Sequence, residues 1–96
     1  MALSGRKTVT TAGTAVAMGS QVVAAPVAIK ALTTNTGLVY VGDVATASAA
    51  AGYPLLAGDV VVLANLGNLA NVYVDSAVNG EGVAWVILGA EPGLEP

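Results

Sequence analysis

A short segment that occurs nearly twice constrains the fold of this chain more than any other feature. Residues 37–43 read Gly-Leu-Val-Tyr-Val-Gly-Asp, and residues 70–76 read Ala-Asn-Val-Tyr-Val-Asp-Ser. The shared Val-Tyr-Val core is typical of a β-strand, because branched and aromatic side chains suit a half-buried pleated surface. Turn-forming residues precede each copy and an aspartate follows it closely. The pattern predicts a small all-β domain with pseudo-repeated halves.

Short strand signals recur along the rest of the chain, separated by Gly and Asn turns. The predicted strands cover residues 7–11, 14–18, 22–24, 27–33, 38–41, 60–63, 71–75 and 83–88. The run at residues 60–63 is solidly apolar, as expected for a strand buried on both faces. Evenly spaced short strands of this kind favour a β-sandwich or jelly-roll-like domain, with a small barrel as the alternative. We place the body at residues 12–89, an N-terminal arm and possible first strand at residues 1–11, and an extended tail at residues 90–96.

The composition indicates a protein that assembles with others. The 96 residues are 55% hydrophobic and 9% charged, and they include no cysteine. A domain this small buries a modest share of its surface, so without disulfides it is commonly stabilised by association. Much of the apolar fraction is alanine, which is also harmless on a surface, but the scarcity of polar surface favours assembly.

Charge is unevenly distributed along the chain. Its three basic residues, Arg6, Lys7 and Lys30, all precede its six acids. A basic arm on an acidic body can dock on an acidic neighbour, although a solvated terminus is the simpler interpretation of Arg6 and Lys7 alone. No basic patch with interleaved aromatics is present, so we expect no nucleic-acid partner.

Neither terminus has the pattern of a membrane segment. Arg6 and Lys7 precede a mildly apolar stretch, but polar residues and glycines interrupt it, unlike the core of a secretion signal. No run of about 18 apolar residues exists, so we expect no membrane partner. The tail at residues 90–96 contains two prolines and is unsuited to a helix or a central strand. We expect it, including Leu94, to lie on a neighbouring subunit.

The residues available for catalysis are few. Histidine and cysteine are absent, which removes the commonest general base and the commonest transition-metal ligands. Asp43, Asp59 and Asp75 recur every sixteen residues and could bind calcium or act as a glycosidase pair, but aspartate is also a standard turn residue. We favour the turn interpretation, and we expect no enzyme, no cofactor and no metal.

The glycine-rich segment around Glu81 and the aromatic residues are candidate contact sites. No helix follows residues 79–82, so a hairpin turn is favoured over a phosphate-binding loop, and Glu81 could form a contact across an interface. Tyr40 and Tyr73 should point to the face opposite their valine neighbours. With Tyr53 they could bind sugars or pack at an interface, whereas Trp85 is expected in the core.

The order of motifs from residue 27 to residue 88 resembles that of small virion proteins of tailed bacteriophages. The matching segments are Thr-Asn-Thr-Gly at residues 34–37, Val-Tyr-Val-Gly at 39–42, Tyr-Pro-Leu at 53–55 with Gly-Asp at 58–59, Val-Tyr-Val-Asp at 72–75, and Asn-Gly-Glu-Gly at 79–82. This order is similar to that of capsid decoration, or cement, proteins and other head-associated β-proteins.

The resemblance implies a structural role on the outer surface of a virion capsid. Cement proteins bridge neighbouring capsomers, commonly as trimers, so the implied partners are the chain itself, as a homotrimer, and the major capsid protein. The candidate capsid or subunit contacts are Arg6, Lys7, Tyr40, Tyr53, Tyr73, Glu81 and Leu94. A head-fibre, tail or spike component and a glycan-binding β module remain the alternatives.

Overall fold

A computed structural model describes residues 3–88, which form ten β-strands and one short 3-10 turn, Leu69–Asn71. The strands are β1 (Ser4–Thr8), β2 (Val16–Ala17), β3 (Val22–Val23), β4 (Val27–Ala31), β5 (Val39–Gly42), β6 (Tyr53–Leu55), β7 (Val60–Leu63), β8 (Gly67–Asn68), β9 (Tyr73–Ser76) and β10 (Gly82–Ile87). The predicted all-β class is confirmed.

Two four-stranded antiparallel sheets make up most of the domain. Sheet A has the order β1-β10-β4-β7, and sheet B has the order β2-β9-β5-β6. Strands β3 and β8 form a separate two-stranded ribbon. Apolar residues of both large sheets join one buried cluster, so the core lies between them as in a sandwich.

The two Val-Tyr-Val segments pair with each other at the centre of sheet B. Strands β5 and β9 run antiparallel, with Val41 opposite Val74. Both valines are buried, and Tyr40 and Tyr73 are half-buried on the opposite face. The alternation predicted the opposite faces, and the structure shows that the valine face is the core. The expectation for Trp85 is also confirmed, since its exposed fraction is 8%.

The prediction that residues 60–63 are buried on both faces is wrong. Strand β7 is the last strand of sheet A, and β4 is its one paired neighbour among the described strands. Val60 and Val62 remain 55% and 53% exposed. Val61 and Leu63 point the other way and pack against the core. An apolar run thus marks here an edge strand with one buried face.

The N-terminal segment contributes an edge strand to sheet A. Residues 4–8 form β1 beside β10, and Val9, which follows, is fully buried. An arm and a possible first strand were expected at residues 1–11. Residues 4–8 are a strand of the sheet. The tail expected at residues 90–96, with Leu94, lies outside the described residues.

Glycine allows β1 and β10 to approach closely. A Cβ at Gly5 would lie 2.8 Å from the Trp85 ring, and a Cβ at Gly82 would contact the backbone of Lys7 and Thr8. Larger residues at either position would push the two strands apart, so these two glycines determine the pairing of β1.

Candidate functional site

Asp43 and Asp59 both stabilise turns. The Asp43 carboxylate accepts hydrogen bonds from the Thr46 hydroxyl and from the backbone N–H groups of Ala45 and Thr46, each at 2.9 Å. The Thr46 hydroxyl, followed by the Ala45 N–H, lowers the pKa of Asp43. Asp59 accepts a hydrogen bond from the Leu56 N–H at 3.0 Å. Both carboxylates therefore act as turn residues.

Asp75 is a buried carboxylate that connects a loop to sheet B. Its exposed fraction is 3%. Its Oδ1 accepts hydrogen bonds from the backbone N–H of Gly13 at 2.9 Å and of Ser76 at 2.8 Å. The loop before β2 is thus attached to the end of β9. Among residues 3–88, no three acids are grouped as metal ligands.

Glu81 binds the turn at residues 34–37 of its own chain. Its carboxylate accepts hydrogen bonds from the Thr36 N–H at 2.6 Å, the Thr36 hydroxyl at 2.8 Å and the Gly37 N–H at 3.0 Å. The Thr36 N–H, followed by the Gly37 N–H, lowers the pKa of Glu81. The Glu81 carboxylate therefore has contacts within its own chain, and its contact across an interface stays a prediction.

The segment at residues 79–82 connects the two sheets and is not a hairpin. Strand β9 belongs to sheet B and β10 to sheet A, so the hairpin interpretation of this turn is wrong. The same region is held by Asn35, which sequence reasoning did not single out. Asn35 is 8% exposed, and its side chain exchanges two hydrogen bonds with the backbone of Gly82, at 2.9 and 3.3 Å.

The three tyrosines do not share one surface. Tyr40 and Tyr73 lie on the outer face of sheet B, where Tyr73 is opposite Gly42 and diagonal to Tyr40. Tyr53 is opposite Val41, is 60% exposed, and lies at the edge of the sheet. A sugar platform made of all three rings is therefore ruled out by this geometry.

An open groove separates β7 of sheet A from β5 and β6 of sheet B. Its volume is about 520 Å³. Its aliphatic lining consists of Val41, Val61, Leu63, Leu66 and Val72. Tyr53, Asn71 and Asp43 add polar groups. The lining is thus mainly aliphatic, and Asp43 is its one charged residue.

The outer face of sheet A combines aliphatic and basic residues. The register places Arg6, Ala84, Lys30 and Val60 in one row, and Ser4, Val86, Ala28 and Val62 in the next. Arg6 and Lys30 are two strands apart, or about 10 Å between backbones. No acid occurs in either row. Lys7 points to the opposite side of β1, so Arg6 shares its face of the sheet with Lys30 and not with Lys7.

Comparison with known proteins identifies no relative of this chain. No protein-family model, curated protein or solved structure matches the chain. Residues 3–88 contain no helix that is long and apolar enough to cross a membrane.

Proposed function

We propose that this chain is a non-catalytic structural protein of a bacteriophage virion that decorates the capsid and bridges capsomers. The observation that carries the proposal is the outer face of sheet A, where Val60 and Val62 are more than half exposed, Lys30 lies next to Val60, and Arg6 lies at the far end of the same row. Exposed apolar residues with a few charges around them are characteristic of protein-interaction surfaces.

The charge distribution supports a protein partner with an acidic surface. The chain has a net charge of -3, yet among residues 3–88 the outer face of sheet A carries Arg6 and Lys30 and no acid. Such a face is attracted to an acidic protein surface, while the remaining surface of the domain repels it. This polarity would orient the domain on a capsid.

The internal roles of the carboxylates support a structural function over an enzymatic one. Asp43, Asp59, Asp75 and Glu81 all accept hydrogen bonds from backbone N–H groups of their own chain. Carboxylates used in this way stabilise turns and loops. The geometry gives them the role of holding the strands in place.

The proposal is tested by light scattering of the purified protein with and without isolated empty capsids. We expect a stable oligomer, a homotrimer in the simplest case, that joins capsids in many copies per particle. Arg6→Gln and Lys30→Gln should weaken this binding. Lys7→Gln is the matched control, because it removes the same charge from the same strand on its opposite side.

Two results would contradict the decoration function. A folded monomer that does not bind capsids would exclude it. Binding in only a few copies per particle would support a head-fibre, tail or spike component instead.

A glycan-binding module is the second candidate, and Tyr53 is the observation that favours it. Tyr53 is exposed and lines the groove together with Asp43 and Asn71, and sugar binding commonly combines ring stacking with polar contacts. A glycan array should then give binding that Tyr53→Ala abolishes. An array without binding would eliminate this candidate.

A further inference from the structure

Strand β7 is the one unprotected sheet edge among the described strands. Natural proteins protect exposed edges with charges, prolines or very short strands. Edge strand β1 carries Arg6 and Lys7, edge strand β6 contains Pro54, and edge strand β2 has two residues. Strand β7 has the sequence Val-Val-Val-Leu and none of these features. It is therefore able to accept another strand.

The register shows which backbone groups of β7 are available. The Asp59 carbonyl accepts a hydrogen bond from the Ala31 N–H at 2.9 Å, and Val61 lies opposite Ile29. Because hydrogen-bonding direction alternates along an antiparallel strand, Val61 and Leu63 turn their backbone groups to β4. Val60 and Val62 turn theirs to the free edge, where an incoming strand would meet them.

The groove beside β7 provides space for side chains of such a strand. Val61 and Leu63 line it from sheet A, and Tyr53 and Val41 line it from sheet B. A strand added to β7 would continue sheet A over this opening. Every second side chain would then enter the groove, because strand side chains alternate between faces.

We propose that β7 binds an extended segment of a partner protein as a fifth strand of sheet A, with aliphatic side chains in the groove and a basic side chain beside Asp43. This mode of recognition uses main-chain hydrogen bonds for affinity and pockets for alternate side chains for specificity. The inference rests on the proposed function, since it assigns the place where the assembly partner binds.

Charge complementarity identifies the kind of segment. Asp43 is the charged residue in the lining of the groove. The chain's own bases lie elsewhere, with Arg6 and Lys30 on the outer face of sheet A and Lys7 in β1 at the other edge. A second copy's β7 would present four aliphatic residues and no base. A partner segment with one basic residue therefore complements the groove better than β7 of another copy.

A defined peptide tests the proposal without requiring a capsid. The probe is a fluorescent eight-residue peptide of alternating valine and threonine, with one arginine at the end of the valine face. Fluorescence anisotropy measures its affinity for the full-length chain. Control peptides replace the central valine by proline, or the arginine by glutamine.

Two substitutions of Val62 provide a matched pair. Val62→Pro removes an N–H that faces the free edge and spares the bonds to β4, and it should weaken peptide binding about tenfold or more. Val62→Thr keeps the N–H and the branched shape and should bind like the parent. Asp43→Asn keeps the turn acceptor and should weaken the arginine peptide about two- to fivefold, with no change for the glutamine peptide.

Amide hydrogen exchange on the unsubstituted chain gives a second readout that does not depend on the variants. Peptide binding should slow exchange at Val60 and Val62, whereas Val61 and Leu63 should already exchange slowly. Equal protection at all four amides before peptide is added would overturn the assignment of the free edge.

The possible outcomes separate this inference from the proposed function. A chain that decorates capsids but binds no peptide, with Val62→Pro equal to Val62→Thr, would overturn strand addition and leave decoration standing. Peptide binding without capsid binding would support strand addition and refute decoration. Self-association that Val62→Pro abolishes, without peptide binding, would identify a second copy as the occupant and overturn the partner segment.

Discussion

A single methyl group at Gly82 tests the close pairing of β1 and β10. A Cβ at this position would contact the carbonyl oxygen of Lys7 and would lie 2.6 Å from the Thr8 Cα. The latter distance falls 0.8 Å short of the 3.4 Å at which ordinary contact begins. Both neighbours are backbone atoms, so no side-chain rotation can relieve the overlap. Gly82→Ala must therefore move the strands apart.

The expected cost of Gly82→Ala follows from the kind of atoms that clash. Overpacking relieved by side-chain shifts costs about 1–3 kcal/mol, and a backbone clash belongs at the upper end, at about 3 kcal/mol. In a domain of this size each kcal/mol lowers Tm by roughly 4–8 °C. We expect Tm to fall by roughly 12–24 °C in thermal unfolding followed by circular dichroism.

Gly80→Ala is the matched control for this prediction. Gly80 has a φ of +82° and no atom within 4 Å of an added Cβ, so alanine there meets only the left-handed backbone penalty of about 1–2 kcal/mol. If Gly82→Ala lowers Tm no more than Gly80→Ala does, the close approach of β1 to β10 is refuted. A urea series should rank the two variants in the same order.

Three further predictions concern the core and the carboxylates. Asp75→Ala leaves the Gly13 and Ser76 N–H groups without their acceptor and should lower the free energy of unfolding by about 3 kcal/mol, measured in urea; a loss below about 1 kcal/mol would contradict the buried contacts. Ile29→Ala, at a fully buried position, should cost about 2–5 kcal/mol in the same assay, and an unchanged midpoint would place Ile29 outside the core. The pKa of Glu81 is lowered in the folded state, so its stabilising effect is present above pH 4.5, its ordinary pKa, and is lost as the pH falls through the folded-state pKa. Glu81→Gln should therefore reduce the fall of Tm in acid. Identical profiles of Tm against pH for the variant and the parent would contradict the contact with Thr36.

The local sequence predicted the strands where the alternation of side chains carries the information. The Val-Tyr-Val segments became β5 and β9 with their valines inside, and Trp85 lies in the core. Strands β6 and β8 were missed because their residues are typical of turns, including Pro54 and Gly67. Pairing with neighbouring strands stabilises β6 and β8, and the β-propensity of their own residues contributes little.

The position of a strand within its sheet could not be read from the sequence. The run at residues 60–63 was expected to be buried on both faces, yet within the described part of the chain it has one neighbouring strand and one exposed face. Apolar content is the same for a central strand and an unprotected edge strand. Strand order depends on pairing across the whole chain, and that pairing has no local signal.

The contacts that hold the turn at residues 34–37 against residues 81–82 also join residues that are far apart in sequence. Asn35 reaches Gly82 across 47 positions, and Glu81 reaches Thr36 across 45. Arg6 and Lys30 lie on one face of sheet A because β10 pairs with both β1 and β4. Residue types suggested turns and charges at these positions, but the partners follow from the register.

The selective exposure of β7 supports the proposed binding function. A marginal β domain that merely lacked edge protection would leave several edges open, whereas here β1, β2 and β6 are each charged, short or interrupted by proline. One apolar edge open among the strands of residues 3–88 carries a risk of aggregation, and local rules are most often broken at functional sites. The same edge lies beside the groove and borders the outer face of sheet A through Val60 and Val62. Strand addition at the edge and docking on the face would therefore act together, with one segment of the partner fixing the orientation in which its acidic surface meets Arg6 and Lys30.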